Sequence, residues 1–171
     1  MLLHLSAAML MAFLTIAAGF QRAAQIEHRL RSLRDFQAAL KLLETEVGYV
    51  ARPLPQALAH IAASIGGRVG SFLQEVARQV DEGQSAEQAW IGQLNEMAET
   101  LALQREERAL LQQFGVGLGI ADRSRQLDRI AYTATHLSQI EQDARPQGEK
   151  NIRMWHALGL LGGALVFLVM V

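Results

Sequence analysis

Cysteine is absent from the 171 residues. No disulfide framework, thiol chemistry or cysteine-based metal site is therefore available. Proline occurs only three times, and Leu, Ala, Gln, Glu and Arg dominate, which is a helical composition. A large charge of either sign is also missing. The formal net charge is −1, so no bulk electrostatic pull draws the chain to nucleic acid. No segment alternates apolar and polar residues as a half-buried strand would. Tandem repeats and low-complexity runs are missing too.

The most informative absence is local. Residues 1–20 and 154–171 contain no Asp, Glu, Lys or Arg; every formal charge falls between Arg22 and Arg153. A helix rises about 1.5 Å per residue and the hydrocarbon core is about 30 Å thick, so roughly 20 apolar residues cross it. Both ends are therefore expected to be transmembrane helices, over 1–20 and 151–171, holding a domain over 21–150. A cleaved signal peptide is the competing reading of the first segment, with Ala17 and Gly19 at small-residue cleavage positions. It lacks the basic n-region such a peptide carries. Arg22, Arg29, Arg31 and Arg34 follow the first segment, and Arg145, Lys150 and Arg153 precede the second. Both flanks place the middle domain in the cytoplasm, and Trp155 suits an interfacial anchor.

Between the ends the chain reads as a helical bundle. Ile26, Leu30, Leu33, Leu40, Val47 and Val50 form one apolar stripe, with Phe36 and Leu43 beside it. The first span is expected to continue into this helix. Arg52-Pro53-Leu54-Pro55 ends it and opens a short helix carrying Leu58, Ile61 and Ile65. Gly66-Gly67 separates that from a helix with Val69, Phe72, Leu73, Val76 and Val80. Ser85-Ala86-Glu87-Gln88 has the form of a capping box before Trp90, Leu94, Met97 and Leu101. A break with Thr100 as N-cap is expected, then a stripe of Leu110, Leu111, Phe114 and Leu118. Asp122 is expected to cap a last helix with Leu127, Ile130, Ala134, Leu137 and Ile140 inward. Pro146 and Gly148 are expected to interrupt it before the second span. The fold class is all-α, a cytoplasmic bundle of about six helices flanked by two transmembrane helices.

No constellation in the chain carries chemistry, so no catalytic residue, cofactor or metal is expected. The five histidines fall in no metal-helix motif and read as surface or interface residues. Gly115-x-Gly117-x-Gly119 resembles a nucleotide loop, but such a loop follows a strand and opens a helix. Here it follows a helical stripe, so helix termination and close helix approach explain it better. No Gly-Lys-Ser/Thr phosphate loop exists; any ATP energy must come from a partner. Arg123, Arg125 and Arg129 read as a solvated basic face, with anionic lipid or an acidic partner as the alternative. Small residues at Ala8, Ala12, Thr15 and Gly19, and Gly159-x-x-x-Gly163, are compatible with close packing of membrane helices.

Several local patterns coincide. Leu43-Glu44-Thr45-Glu46-Val47-Gly48-Tyr49 is followed by Pro53-Leu54-Pro55-Gln56-Ala57-Leu58, then Ala89-Trp90. Phe114-Gly115-Val116-Gly117-Leu118-Gly119-Ile120-Ala121-Asp122 then leads to Gln126. This order, the apolar ends and the length resemble the stage III sporulation protein AB family of endospore-forming bacteria. One position departs: Arg52 stands where the family often has Thr.

The resemblance implies a component of the complex joining mother cell and forespore, in the mother-cell membrane around the forespore. It implies a domain like the cytoplasmic part of the type II secretion F platform protein. The implied partners are the sporulation ATPase of the same operon and other stage III sporulation complex proteins. Membrane lipid and a homo-oligomer are compatible; nucleic acid is not expected. Within the motif, Gly115 and Gly119 are expected to stack on one helix face and admit a neighbour. Asp122 is the expected cap, Gln126 closes the motif, and Glu44 and Glu46 are candidates for partner contact. Tyr49 and Trp90 are expected in the core. A membrane-tethered helical sensor or regulator is the alternative function; a small membrane enzyme would need polar groups within the spans, which are scarce.

Overall fold

The structure is a computed structural model. It describes residues 2–50, 52–119 and 122–170, with side chains from residue 17 onward except at 149, 156, 159, 160 and 163–170. Among the described residues there are helices and turns and no strand. Helix α1 runs Leu2–Thr45 and passes into a π-helical turn, Glu46–Val50. Helix α2 spans Leu54–Ile65, α3 Gly67–Asp81, α4 Ala86–Glu96, α5 Arg105–Gly115 and α6 Arg123–Met170. The expected all-α fold of about six helices is present. The chain divides into two compact units, residues 1–30 with 143–171, and residues 31–142.

Unit 31–142 holds the apolar core. Leu33, Phe36, Leu40 and Leu43 enter it from α1, Leu58 and Ile61 from α2, and Val69, Phe72, Leu73 and Val76 from α3. Helices α4 to α6 add Trp90, Leu94, Leu111, Phe114, Ile130 and Leu137. An aromatic chain runs through this core. The centroids of Phe36 and Phe72 lie 5.6 Å apart, Phe72 and Trp90 4.9 Å, and Trp90 and Phe114 5.1 Å, all edge to face. That geometry sets positive ring edges against negative faces. The Trp90 indole N–H donates to the Leu111 carbonyl at 2.9 Å, so the buried ring leaves no polar atom unpaired.

Local rules account for most helix boundaries. Pro55 sits in the first turn of α2, where its missing N–H costs nothing. The Ser85 hydroxyl accepts the Gln88 N–H at 3.2 Å and caps α4. Thr100, by contrast, does not open α5. Residues 97–102 form turns, and α5 begins at Arg105. Buried Glu107 reaches back to accept the Gln104 N–H at 2.6 Å, and this bond fixes the start of the helix. The α1 stripe also shifts. Phe36 and Leu43, expected beside the stripe, lie within the core, while Val50 is exposed. The wide i→i+5 turn after Thr45 carries the last residues off the 3.6-residue period.

In unit 1–30 with 143–171, the expected interruption at Pro146 does not occur: α6 continues through it. Proline removes one backbone hydrogen bond, and a helix this long holds the turn from both sides. Gly148 has a packing reason instead. A Cβ there would lie 2.9 Å from Leu30 Cδ1 and 3.3 Å from Ile26 Cγ2, so α1 and α6 approach closely and a larger residue would displace the ends of these side chains.

The membrane spans expected over 1–20 and 151–171 are not supported by the described residues. No helix among them is long and apolar enough to cross a membrane. In α1 and α6, charges recur throughout Arg22 to Arg153. The side chains of residues 2–16 and 163–170, the bulk of both apolar segments, lie outside the described residues.

Replacing Trp90 with Phe should destabilise the full chain by about 1–3 kcal/mol, because the Leu111 carbonyl loses its donor inside the core. Denaturant unfolding followed by circular dichroism measures this, and a wild-type midpoint would refute it. Burial pushes the Asp35 carboxyl above its usual value, against the lowering pull of Arg31 and Arg34. A raised folded-state value means that ionisation costs stability, from about pH 3.9 upward. Asp35→Asn should therefore raise stability at pH 7 and have no such effect below pH of about 3.5. A pH-independent difference would rule out ionisation as the cause.

Candidate functional site

Two stretches of the motif meet where α1 unwinds, the π-helical turn and the start of α6. The π-helical turn places Glu46 inward, 7% exposed, and Tyr49 outward, 88% exposed. Such turns are frequent at functional sites because they re-aim side chains. Glu46 Oε1 lies 2.9 Å from His60 Nδ1 on α2 and 3.4 Å from an Arg52 guanidinium nitrogen. A carboxylate only accepts hydrogen bonds, so this pairing puts the imidazole proton on Nδ1. The second oxygen, Oε2, is buried without a hydrogen-bond partner. His60, expected from the sequence to be a surface or interface residue, is exposed on α2; its pairing with Glu46 is not visible in the sequence. Fourteen positions separate it from Glu46, across a loop whose course no local pattern reveals. Tyr49, expected in the core, stands in solvent, and Val50 next to it in the chain is exposed as well. Glu44 is exposed.

The start of α6 closes this end. Asp122 Oδ1 accepts the Ser124 N–H at 3.1 Å and the Arg125 N–H at 3.3 Å, the arrangement of an N-cap. The Asp122 carbonyl accepts the Gln126 N–H at 3.0 Å, the first turn of α6. Arg123 donates to the Gly48 carbonyl, tying α6 to the π-helical turn. Arg125 pairs with Asp122 at 2.9 Å. Arg129 donates to the Gln113 carbonyl at 2.7 Å. Arg123 and Arg125 are exposed and Arg129 is half-buried, as a solvated face requires, and each also binds a group of the fold itself.

The glycines between α5 and α6 each have a separate reason. Gly115 ends α5 against the Trp90 ring, where a Cβ would overlap Cδ1. Gly117 lies under the Arg129 guanidinium, which an added Cβ would displace. Gly119 has φ +92, a left-handed conformation that only glycine adopts without strain. The expected stacking of Gly115 and Gly119 on one helix is not found, because the turn 116–119 follows the end of α5. The close approach at Gly115 is to an indole from α4, not to a helix backbone.

Among the described residues no group of three or more acidic or histidine side chains is placed to hold a metal ion. What this end offers is a capped, braced surface with an aromatic ring projecting from it. The same residue order recurs in other proteins. The chain matches the model of stage III sporulation protein AB over residues 4–171. The chain belongs to that family. Stage III sporulation protein AB of Bacillus subtilis (strain 168) is 36% identical over 170 residues, 99% of each chain. A solved structure of a stage III sporulation protein AB superposes with a TM-score of 0.66 at 36% identity. It covers 71% of this chain and 97% of its own. Membership ties the chain to sporulation, and the family's name denotes a developmental stage rather than a reaction.

Gly115→Ala should cost about 1–3 kcal/mol, since the indole must move or the helix end must shift. Gly92→Ala is the control. No atom lies within 4 Å of the position its Cβ would take, and alanine in a helix interior should add about 0.5–1 kcal/mol. Opposite signs in thermal unfolding are expected. Asp122→Ala should cost about 0.5–2 kcal/mol, and an unchanged stability would deny it the capping role.

Proposed function

We propose that this protein is a non-enzymatic platform component of the mother cell–forespore channel complex. Its apolar ends anchor it in the mother-cell membrane, with the helical domain in the cytoplasm. That domain couples a secretion-type ATPase, encoded in the same operon, to the membrane assembly and to other stage III proteins. Family membership supports the sporulation role. The charge-free ends, flanked by Arg22 and Arg153, support the anchoring.

One observation carries the docking face. Tyr49 is 88% exposed in a unit that otherwise buries most of its large apolar side chains. Exposed aromatic rings are favoured anchors at interfaces. The segment that presents this ring is braced by Glu46, Arg52, His60 and Arg123, so it is held out at little further entropic cost. Glu44 beside it offers a charge to a basic partner. The structural role of the buried Glu46 is bracing, and partner contact falls to Glu44 and Tyr49.

The test is co-purification of the full chain, in mild detergent, with the co-encoded ATPase. Tyr49→Ala and Glu44→Ala should weaken the complex, Tyr49 by about tenfold or more, as expected for an interface anchor. Unfolding midpoints should stay at the wild-type value. Binding by wild type that neither variant weakens would exclude this face. No binding by the folded chain would remove the coupling role and favour a membrane-tethered sensor or regulator.

A further inference from the structure

The unit formed by residues 1–30 and 143–171 contains a groove that the platform role does not use. It measures about 550 Å³, within the range of small-molecule sites. Gln21, Arg22 and Gln25 line it from α1, and Trp155 and Leu158 from α6. The α1 positions fall three and four apart with Ala18, so one helix face supplies them all. Trp155 and Leu158, three apart, do the same from α6. The α1 wall offers donors: a guanidinium and two amides. The α6 wall is an indole and an aliphatic side chain.

Two features give the groove a ligand class. It lies at the charge boundary of both helices. Arg22 is the first charged residue of the chain, and Arg153 the last before the apolar segment. It also opens about two turns from the Gly148 contact, where Gly148 of α6 packs closely against Ile26 and Leu30 of α1. The helices are therefore held close enough to form two walls, but the walls do not fill the space between them. A cation with amide donors recognises a phosphate. An indole with a leucine one turn away recognises the glycerol and first methylenes of an acyl chain.

We infer that this groove is a binding site for one anionic phospholipid, with Arg22 on the headgroup phosphate and Trp155 and Leu158 along the proximal acyl chain. The inference rests on the membrane-anchored reading of the chain. The occupant is a lipid rather than a free phosphate because half of the lining is apolar and contributes nothing to an inorganic anion.

The experiment uses the full chain purified from membranes in mild detergent. Native mass spectrometry counts lipids retained after exposure to phosphatidylglycerol or to phosphatidylcholine. Wild type should retain one phosphatidylglycerol and little phosphatidylcholine. Arg22→Gln should lower retention about tenfold, the loss of one charge-assisted hydrogen bond. Arg22→Lys should restore part of it, and Arg68→Gln on α3 should leave it unchanged. Equal retention of the two lipids, or no effect at Arg22, would overturn the site. Displacement of the lipid by millimolar inorganic phosphate would reassign it to a soluble anion. Carbonate extraction tests the underlying anchoring separately. A chain released from the membrane would overturn both readings, whereas a chain retained there without lipid selectivity would overturn only this one.

Discussion

The Trp90 ring is the contact on which unit 31–142 depends. It touches Phe72 of α3 and Phe114 of α5, and through Phe72 it reaches Phe36 of α1. Its N–H closes on the Leu111 carbonyl. A large ring with a fixed donor gives direction as well as apolar area, so it sets the angle at which α4 and α5 pass. Gly115 follows from this. The end of α5 must approach the indole edge, and any side chain there would occupy the ring's own volume. The sequence spends few residues on aromatic groups, 6% of the chain, and places four of them in one line through the core.

The same economy governs the end of the unit where α1 unwinds. Buried charge is tolerated only with partners, and Glu46 has two on one oxygen, Arg52 and His60. Arg123 then takes up the Gly48 carbonyl, which the changing helix type exposes. These bonds stabilise a turn that releases Tyr49 and Val50 to solvent. A surface held in this way differs from a flexible loop. Its ordering cost is met on folding, not on binding, which is the character of a pre-ordered surface. Membership in the stage III sporulation protein AB family is consistent with that physical character.

Residues 1–30 and 143–171 follow a different logic. Their helices are long, and Gly148 of α6 packs against Ile26 and Leu30 of α1. Where the polar sequence gives way to apolar sequence, the lining pairs cationic and amide groups with an indole. A mixed surface of this kind is poorly satisfied by water alone or by hydrocarbon alone.

Much of the architecture was legible in the sequence. The six helical segments, the Ser85 and Asp122 caps, the turn at Gly66-Gly67 and most core positions follow from rules acting over three or four residues. Backbone hydrogen bonding and the 3.6-residue period operate within one helix and need no knowledge of its neighbours. The family motif was equally visible, because it is an order of residues. Tertiary structure alone decided what those residues do. Arg123 and Gly48 stand 75 positions apart, and Gln37 donates to the Leu137 carbonyl across 100. Helical periodicity carried the α1 stripe on to Val50, because it could not anticipate a π-helical turn that changes the period, and Tyr49, expected in the core by its residue type, faces solvent. It read Pro146 as a break because the cost of one lost hydrogen bond is local, whereas the continuity of α6 is set by the turns on either side. Whether a glycine ends a helix, admits an indole or lies beneath a guanidinium depends on the atoms opposite it. Those atoms come from other parts of the chain.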